Sequence, residues 1–116
     1  MISYKKILGD NAENYACDFL ISHHFNILAR NYRYKHYEID IIAQKEKCIY
    51  FCEVKIRKNN TYGYPESFVS EQQRQRIKLA AENFIFTYHW EGKIKFNIIA
   101  IESKNMLLTF FEDAFF

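Results

Sequence analysis

The run Cys48-Ile49-Tyr50-Phe51-Cys52-Glu53-Val54-Lys55-Ile56 reads as a β-strand, because its β-branched and aromatic residues fit a pleated, buried surface. Two charges interrupt it. Burying an acid and a base is costly unless each finds a partner, so Glu53 and Lys55 ask for a counter-ion, a metal or a substrate phosphate. Strand side chains alternate between faces, which puts Glu53 and Lys55 on one side with Cα atoms roughly 6.5–7 Å apart, and Val54 on the other.

Just upstream, Glu38-Ile39-Asp40-Ile41-Ile42-Ala43 also alternates, with Glu38 and Asp40 expected on one face and Ile39 and Ile41 on the opposite one. Only Gln44-Lys45-Glu46-Lys47 lies between the two runs, which suits a hairpin over residues 37 to 56. A loop of two or four residues centred on Glu46 and Lys47 would set Asp40 opposite Glu53 and Glu38 opposite Lys55; a loop of three or five would send the acids to different faces. Directly opposed carboxylates lie about 4.5–5.5 Å apart at Cβ and repel, so a divalent cation or a shared proton is needed between them. A metal is the natural resolution.

The chain's 116 residues suit one domain, residues 1–116, that buries roughly two thirds of its unfolded surface. Hydrophobic residues make up 49% and aromatics 18%, enough for a core and against disorder. Three Gly and one Pro argue against linkers, and a net charge of +2 is too small to demand an anionic partner, so only local patches can argue for one. No apolar stretch is long enough to span a membrane and the N-terminus lacks a secretory apolar region, so a cytoplasmic protein is expected, without a membrane partner. Cys17, Cys48 and Cys52 lack the paired spacing of zinc sites and read as reduced core cysteines.

Leu8, Ala12, Tyr15, Ala16, Phe19 and Leu20 form the stripe of an amphipathic first helix, with Glu13 at its edge. Phe25 to Ala29 is extended and runs into Arg30-Asn31-Tyr32-Arg33-Tyr34-Lys35-His36. Beyond the hairpin, the segment Arg57 to Glu66, with Gly63 and Pro65, reads as a loop. Ser70 and Gln73 make a capping-box pattern that opens a second amphipathic helix through Ile77, Ala81, Phe84, Ile85 and Tyr88, ended near His89 to Gly92. Strands follow at Ile94 to Ile101 and Met106 to Phe111. The order αβββαββ predicts an α/β fold with a central mixed five-stranded sheet flanked by helices.

The residues now assembled are similar to a known family. The chain resembles the YraN-like proteins, an uncharacterised branch of the PD-(D/E)XK nuclease superfamily related to restriction endonucleases and Holliday junction resolvases. The likeness runs through Leu8-Gly9, Ala12-Glu13 and Ala16, Arg30 to Arg33, Glu38 to Ile42, Phe51 to Lys55 with Arg57, Gly63, Pro65-Glu66, Val69, Arg76-Ile77 and Ala80-Ala81. The order and spacing of these pieces together carry it. It implies a restriction endonuclease-like fold, Asp40 and Glu53 as ligands of Mg²⁺ or Mn²⁺ with the Val54 carbonyl and Glu13 adding to the site, and Lys55 as the catalytic lysine. Tyr37 stands where Gly usually does, Gln73 where Lys is frequent and Asn97 where Asp is frequent. Resolvase-like relatives are dimers, which keeps a homodimer open here, although no residue fixes a seam.

The implied activity is metal-dependent hydrolysis of DNA phosphodiester bonds, on branched or single-stranded forms. Arg30, Tyr32, Arg33 and Lys35 interleave cations and aromatics in a pattern suited to phosphate contacts and base stacking, and Arg57, Lys58 and Gln73 extend that surface. Plainer readings stand beside these. Lys55 paired with Glu38 or Glu53 is a structural ion pair, Glu13 a solvated helix edge, residues 30–36 an edge strand protected by charge, and Gln73 a capping residue. A nucleic-acid-binding module that keeps the fold without cleaving is the second function, since fold alone does not establish activity. A protein-binding scaffold using Phe110-Phe111 and Phe115-Phe116 is the third.

Overall fold

Strands in this protein lie side by side in the order in which they leave the chain. The computed structural model describes residues 4–58 and 69–116, with side chains from residue 9 onward. Helix α1 (Tyr4–Ser22) is followed by strands β1 (Asn26–Tyr34), β2 (Tyr37–Lys45) and β3 (Cys48–Arg57), then helix α2 (Glu71–Tyr88) and strands β4 (Lys93–Glu102) and β5 (Leu107–Phe111). The sheet order is β1-β2-β3-β4-β5. All neighbours are antiparallel except β3 and β4, which run parallel because α2 carries the chain back between them. The architecture is thus a mixed five-stranded sheet with two helices in the order αβββαββ, compatible with a restriction endonuclease-like fold. Gly63, Pro65, Glu66, most of the expected loop and the Leu8 side chain lie outside the described residues.

Each face of the sheet has its own helix. Ile77, Ala80, Ala81 and Phe84 of α2 are buried at helical spacing against Ile39, Ile42, Ile49, Phe51, Phe96 and Ile98. Ala12, Ala16, Cys17 and Leu20 of α1 pack on the other face with Ile41, Ala43, Tyr50, Cys52, Ile99 and Ile101. A fully buried Ile or Phe in such a layer contributes roughly 1.5–3 kcal/mol. The three cysteines are free thiols and buried, as expected. Phe115 is also buried, and Phe110 sits between the rings of Phe19 and Phe25, so most of the C-terminal aromatics serve packing.

The β2–β3 hairpin closes on the pair Lys45 and Cys48, leaving a two-residue loop of Glu46 and Lys47, with Glu46 at φ 56°. This register continues to Ile41 opposite Cys52, and the next step would oppose Asp40 to Glu53. There the ladder stops. The expected alternation of residues 38–41 fails at the same point: Ile39 packs on the α2 face, whereas Ile41 packs on the α1 face. Asp40 is the cause on one side, because its carboxylate replaces a backbone partner of β3 by accepting the Val54 N–H at 2.8 Å. Asn31 contributes on the other side, being left-handed at φ 51° in the middle of β1 while its neighbours Arg30 and Tyr32 keep their pairing with Ile41 and Ile39.

Both helix ends of α2 follow from local chemistry. Ser70 is the N-cap and accepts the Gln73 N–H at 3.1 Å, while His89, at φ 58°, turns its own N–H back toward the last carbonyls. The reciprocal half of the expected capping box is replaced. The Gln73 side chain leaves the helix start and reaches β3.

Candidate active site

Glu53 is only 6% exposed, which for a carboxylate demands partners. It projects from β3 toward α2 and is flanked by apolar Ile39, Phe51, Ile77 and Phe115. Gln73 of α2 donates its Nε2–H to Glu53 Oε2 at 2.5 Å and accepts from Lys55 Nζ on its Oε1 at 3.3 Å. One amide therefore ties the acid and the base of β3 together through the first turn of the opposing helix. Lys55 is half-buried on the same face as Glu53, as the strand alternation predicts.

Asp40 comes at Glu53 from the side. Burial, the hydrogen bond between the two carboxyls and the Asp40 charge together hold the Glu53 carboxyl well above the usual carboxylate range, and Lys55 offsets only part of this. The sequence expectation of two meeting acids is realised through side chains at the point where the backbone ladder opens. Glu38, in contrast, pairs with Arg33 at 3.1 Å rather than with Lys55.

Glu13 approaches from the other face of the sheet. Burial and then the Asp40 charge push its carboxyl up, against a hydrogen bond from Asn31 and the charge of Arg30, whose Nη2 lies 3.9 Å from Glu13. Asp40 thus sits in the sheet plane between an acid on the α1 side and an acid on the α2 side, possible only because the β2–β3 ladder parts beside it. Among the described residues, however, no three His, Cys, Asp or Glu side chains form a ready ligand cluster. Val54 enters through its amide to Asp40. An extended residue directs its N–H and C=O to the same neighbouring strand, so the Val54 carbonyl opens on the Asp40 side too.

The remaining expected contacts divide. Arg33 and Lys35 are exposed on β1 and its turn, Lys35 with its ammonium 5.3 Å from the Tyr34 ring centroid, and Lys58 is exposed beyond β3. Arg57 is half-buried at the end of β3 and donates to the Ile56 carbonyl at 3.5 Å. Tyr32 faces inward: its hydroxyl donates to Asn83 and its ring meets Phe84 edge-on at 5.3 Å. That leaves its ring engaged in the core layer. Asn97, wholly buried on β4, accepts the Asp113 N–H at 2.5 Å and lies beside Cys52 Sγ at 3.9 Å, which makes it a tether for the C-terminal segment.

Asn31 is the site residue that sequence reasoning passed over. Its advance signals were its type, since Asn tolerates the left-handed region better than most residues, and its place in the Arg30 to Arg33 stretch that carries the family likeness.

Comparison with known proteins bears on this arrangement. The profile of the Uncharacterised protein family UPF0102 matches residues 12–101, a span that contains Glu13, Asn31, Asp40, Glu53, Lys55 and Gln73. The chain belongs to this family. A UPF0102 protein of Cytophaga hutchinsonii is 40% identical over 98 residues, covering 84% of this chain and 87% of that protein. One from Caldicellulosiruptor bescii is 39% identical over 116 residues, covering 95% and 98% respectively. A third, from Flavobacterium psychrophilum, is 35% identical over 111 residues, covering 94% and 93%. This UPF0102 chain therefore matches its relatives over nearly their whole length. Among its described residues, no helix is long and apolar enough to cross a membrane.

Proposed function

We propose that this UPF0102 protein is a metal-dependent nuclease that hydrolyses DNA phosphodiester bonds, with Asp40, Glu53 and Lys55 as its working residues. The observation that carries the reading is the buried Glu53 carboxyl held against Asp40, with Lys55 on its own face. A structural role alone would not favour placing two acids within hydrogen-bonding reach in an apolar setting.

The donor set fits Mg²⁺ or Mn²⁺. Hard carboxylate oxygens suit these ions, and Mg²⁺ commonly takes one or two carboxylates and leaves its other positions to water and substrate phosphate. Asp40 and Glu53 would hold the ion, with the Val54 carbonyl on the Asp40 side and Glu13, reaching toward Asp40 from the α1 face, as further oxygens. When bound, the ion supplies an activated water and stabilises charge on the phosphate. Lys55 offsets negative charge that builds on the scissile phosphate and orients the attacking water by hydrogen bonding. Gln73 sets the distance between Lys55 and Glu53, and its amide must yield Glu53 Oε2 for that oxygen to take a new partner. Arg33, Lys35 and Lys58 offer cations for the DNA backbone, and Arg30 and Arg57 flank them.

A non-catalytic nucleic-acid-binding module is the second reading, favoured by the Gln73 amide bonded to both Glu53 and Lys55. One experiment separates the two. Purified protein, Asp40→Ala and Lys55→Ala are incubated with linear, single-stranded, flap and four-way-junction DNA, with and without Mg²⁺ or Mn²⁺. Metal-dependent cleavage lost in both variants supports the nuclease; salt-sensitive binding that ignores metal and both substitutions supports the module.

A further inference from the structure

At the start of β3, where Cys48 stands five residues before Glu53, the sheet carries a second concentration of charge. A cavity of about 590 Å³ is lined by four lysines, Lys45, Lys47, Lys93 and Lys95, and two acids, Glu46 and Glu112, over a floor of Phe25, Cys48 and Tyr50. The register explains the crowding. Lys45 pairs with Cys48, Cys48 with Lys93 and Tyr50 with Lys95, so Lys45 and Lys93 flank one strand in a single cross-strand row. Neighbouring strands are about 4.8 Å apart, which sets Lys45 and Lys93 about 10 Å apart at Cα, with Lys95 two residues further along. Like charges gathered on one face repel. Of the four, among the described residues, only Lys95 has a carboxylate partner, Glu112 at 3.4 Å. The ammoniums of Lys45 and Lys95 lie 5.1 and 5.8 Å from the ring centroids of Phe25 and Tyr50, which anchors cations over an aromatic floor.

We propose that this shelf binds a nucleotide through its phosphate, with Lys45, Lys47 and Lys93 on the anion and the sugar and base filling the cavity. A cationic rim recognises the phosphate. The volume lies in the usual range for small-molecule sites and exceeds what an inorganic anion needs. Two sources share this chemistry, a free nucleoside monophosphate and the phosphorylated end of a strand. The site is separate from Asp40, Glu53 and Lys55 and does not depend on cleavage.

The single tryptophan of the chain reports on it. Trp90 lies against Gly92 of the cavity wall and donates its Nε1–H to the Lys93 carbonyl at 2.9 Å. Trp90 fluorescence is titrated with AMP, with 5′-phosphorylated oligothymidylate and with the same oligomer lacking the phosphate. Saturable binding that needs the phosphate, falls at least tenfold in Lys45→Gln/Lys93→Gln and persists in Lys55→Ala is expected. A response to AMP identifies the free nucleotide as sufficient; a response to the phosphorylated oligomer alone identifies a strand end. Lys47→Gln/Lys93→Gln, which changes only exposed side chains, serves the same purpose should the first pair fail to fold. No saturable response to either phosphorylated probe, or unchanged affinity in a folded double variant, overturns the proposal.

Discussion

Asp40 accepts the Val54 amide at 2.8 Å at the point where β2 and β3 stop pairing, so a side chain does there what a backbone carbonyl does elsewhere in the ladder. The bond fixes the Asp40 carboxyl beside Glu53 and leaves the two acids competing for neutralisation. Their proximity is built into the sheet, and separating them would require re-forming the ladder.

Stability should therefore depend on pH through Glu53. Its folded-state pKa is raised above the unfolded value of 4.5, so the stabilising contribution is fully present below pH 4.5 and is lost as pH rises toward the folded value. Metal-free protein in EDTA should melt several degrees lower at pH 8 than at pH 5, and Glu53→Gln should remove most of that difference. At pH 8 the variant should be more stable than wild type by roughly 1–3 kcal/mol. The difference between the two proteins isolates Glu53, because Glu13, also raised, shifts both alike. Equal pH dependence in the two would exclude a strained carboxyl at position 53. If the pair holds Mg²⁺, wild type at pH 8 should gain melting temperature on its addition and Glu53→Gln should not.

Gln73 joins Glu53 and Lys55 with one amide, and its replacement should affect both. Gln73→Ala removes the donor to a buried acid and should cost about 1–3 kcal/mol by chemical denaturation. Gln73→Glu should be worse, since it sets a third carboxylate against Glu53. Gln73→Lys offers Glu53 a cation and should lower its apparent pKa, visible in the carboxyl carbon shift by NMR. An unmoved resonance would mean that the side chain at 73 does not touch Glu53 in solution.

Asn31 holds a left-handed backbone, φ 51°, within β1 and hydrogen-bonds Glu13. The two roles are separable. Asn31→Gly keeps the backbone but loses the side chain, whereas Asn31→Ala loses both and should be the less stable by about 1 kcal/mol. Both should raise the Glu13 pKa further, because the bond from Asn31 lowers it. Equal melting temperatures for the two variants would show that the backbone carries no strain there.

The strands along the chain were legible because alternation and turn spacing are local: Glu53 and Lys55 share a face, and Lys45 and Cys48 close the hairpin on the two-residue loop, one of the loop lengths the sequence left open. The break between Ile39 and Ile41 was not. It arises from Asp40 reaching across to β3 and Asn31 bending away in β1, two long-range events that no periodicity within β2 encodes. Gln73 was read as a capping residue because Ser70 stands three positions before it. The cap does form through its backbone, but the side chain is directed by where α2 docks on β3. Tyr32 looked like a stacking residue because its neighbours are basic, and only the docking of α2 turns its ring onto Phe84.

Tyr32 and Arg33 are adjacent yet should behave oppositely toward nucleic acid. The Tyr32 hydroxyl is bonded to Asn83, so Tyr32→Phe should cost about 0.5–1.5 kcal/mol of stability and leave DNA affinity unchanged. Arg33 is 72% exposed and its pairing with Glu38 is a surface one, so Arg33→Gln should change stability by less than about 1 kcal/mol. If β1 carries phosphate contacts, the same substitution should weaken binding and reduce the slope of log affinity against log salt by about 1. Fluorescence anisotropy with labelled oligonucleotides across a salt series measures both quantities. A Tyr32→Phe variant that loses affinity while keeping its melting temperature would show that the tyrosine leaves Phe84 to meet a base, and would return residues 32 and 33 to one binding surface. The converse result, affinity and salt slope untouched by Arg33→Gln, would move the nucleic-acid path off β1 and toward Arg57 and Lys58 at the end of β3.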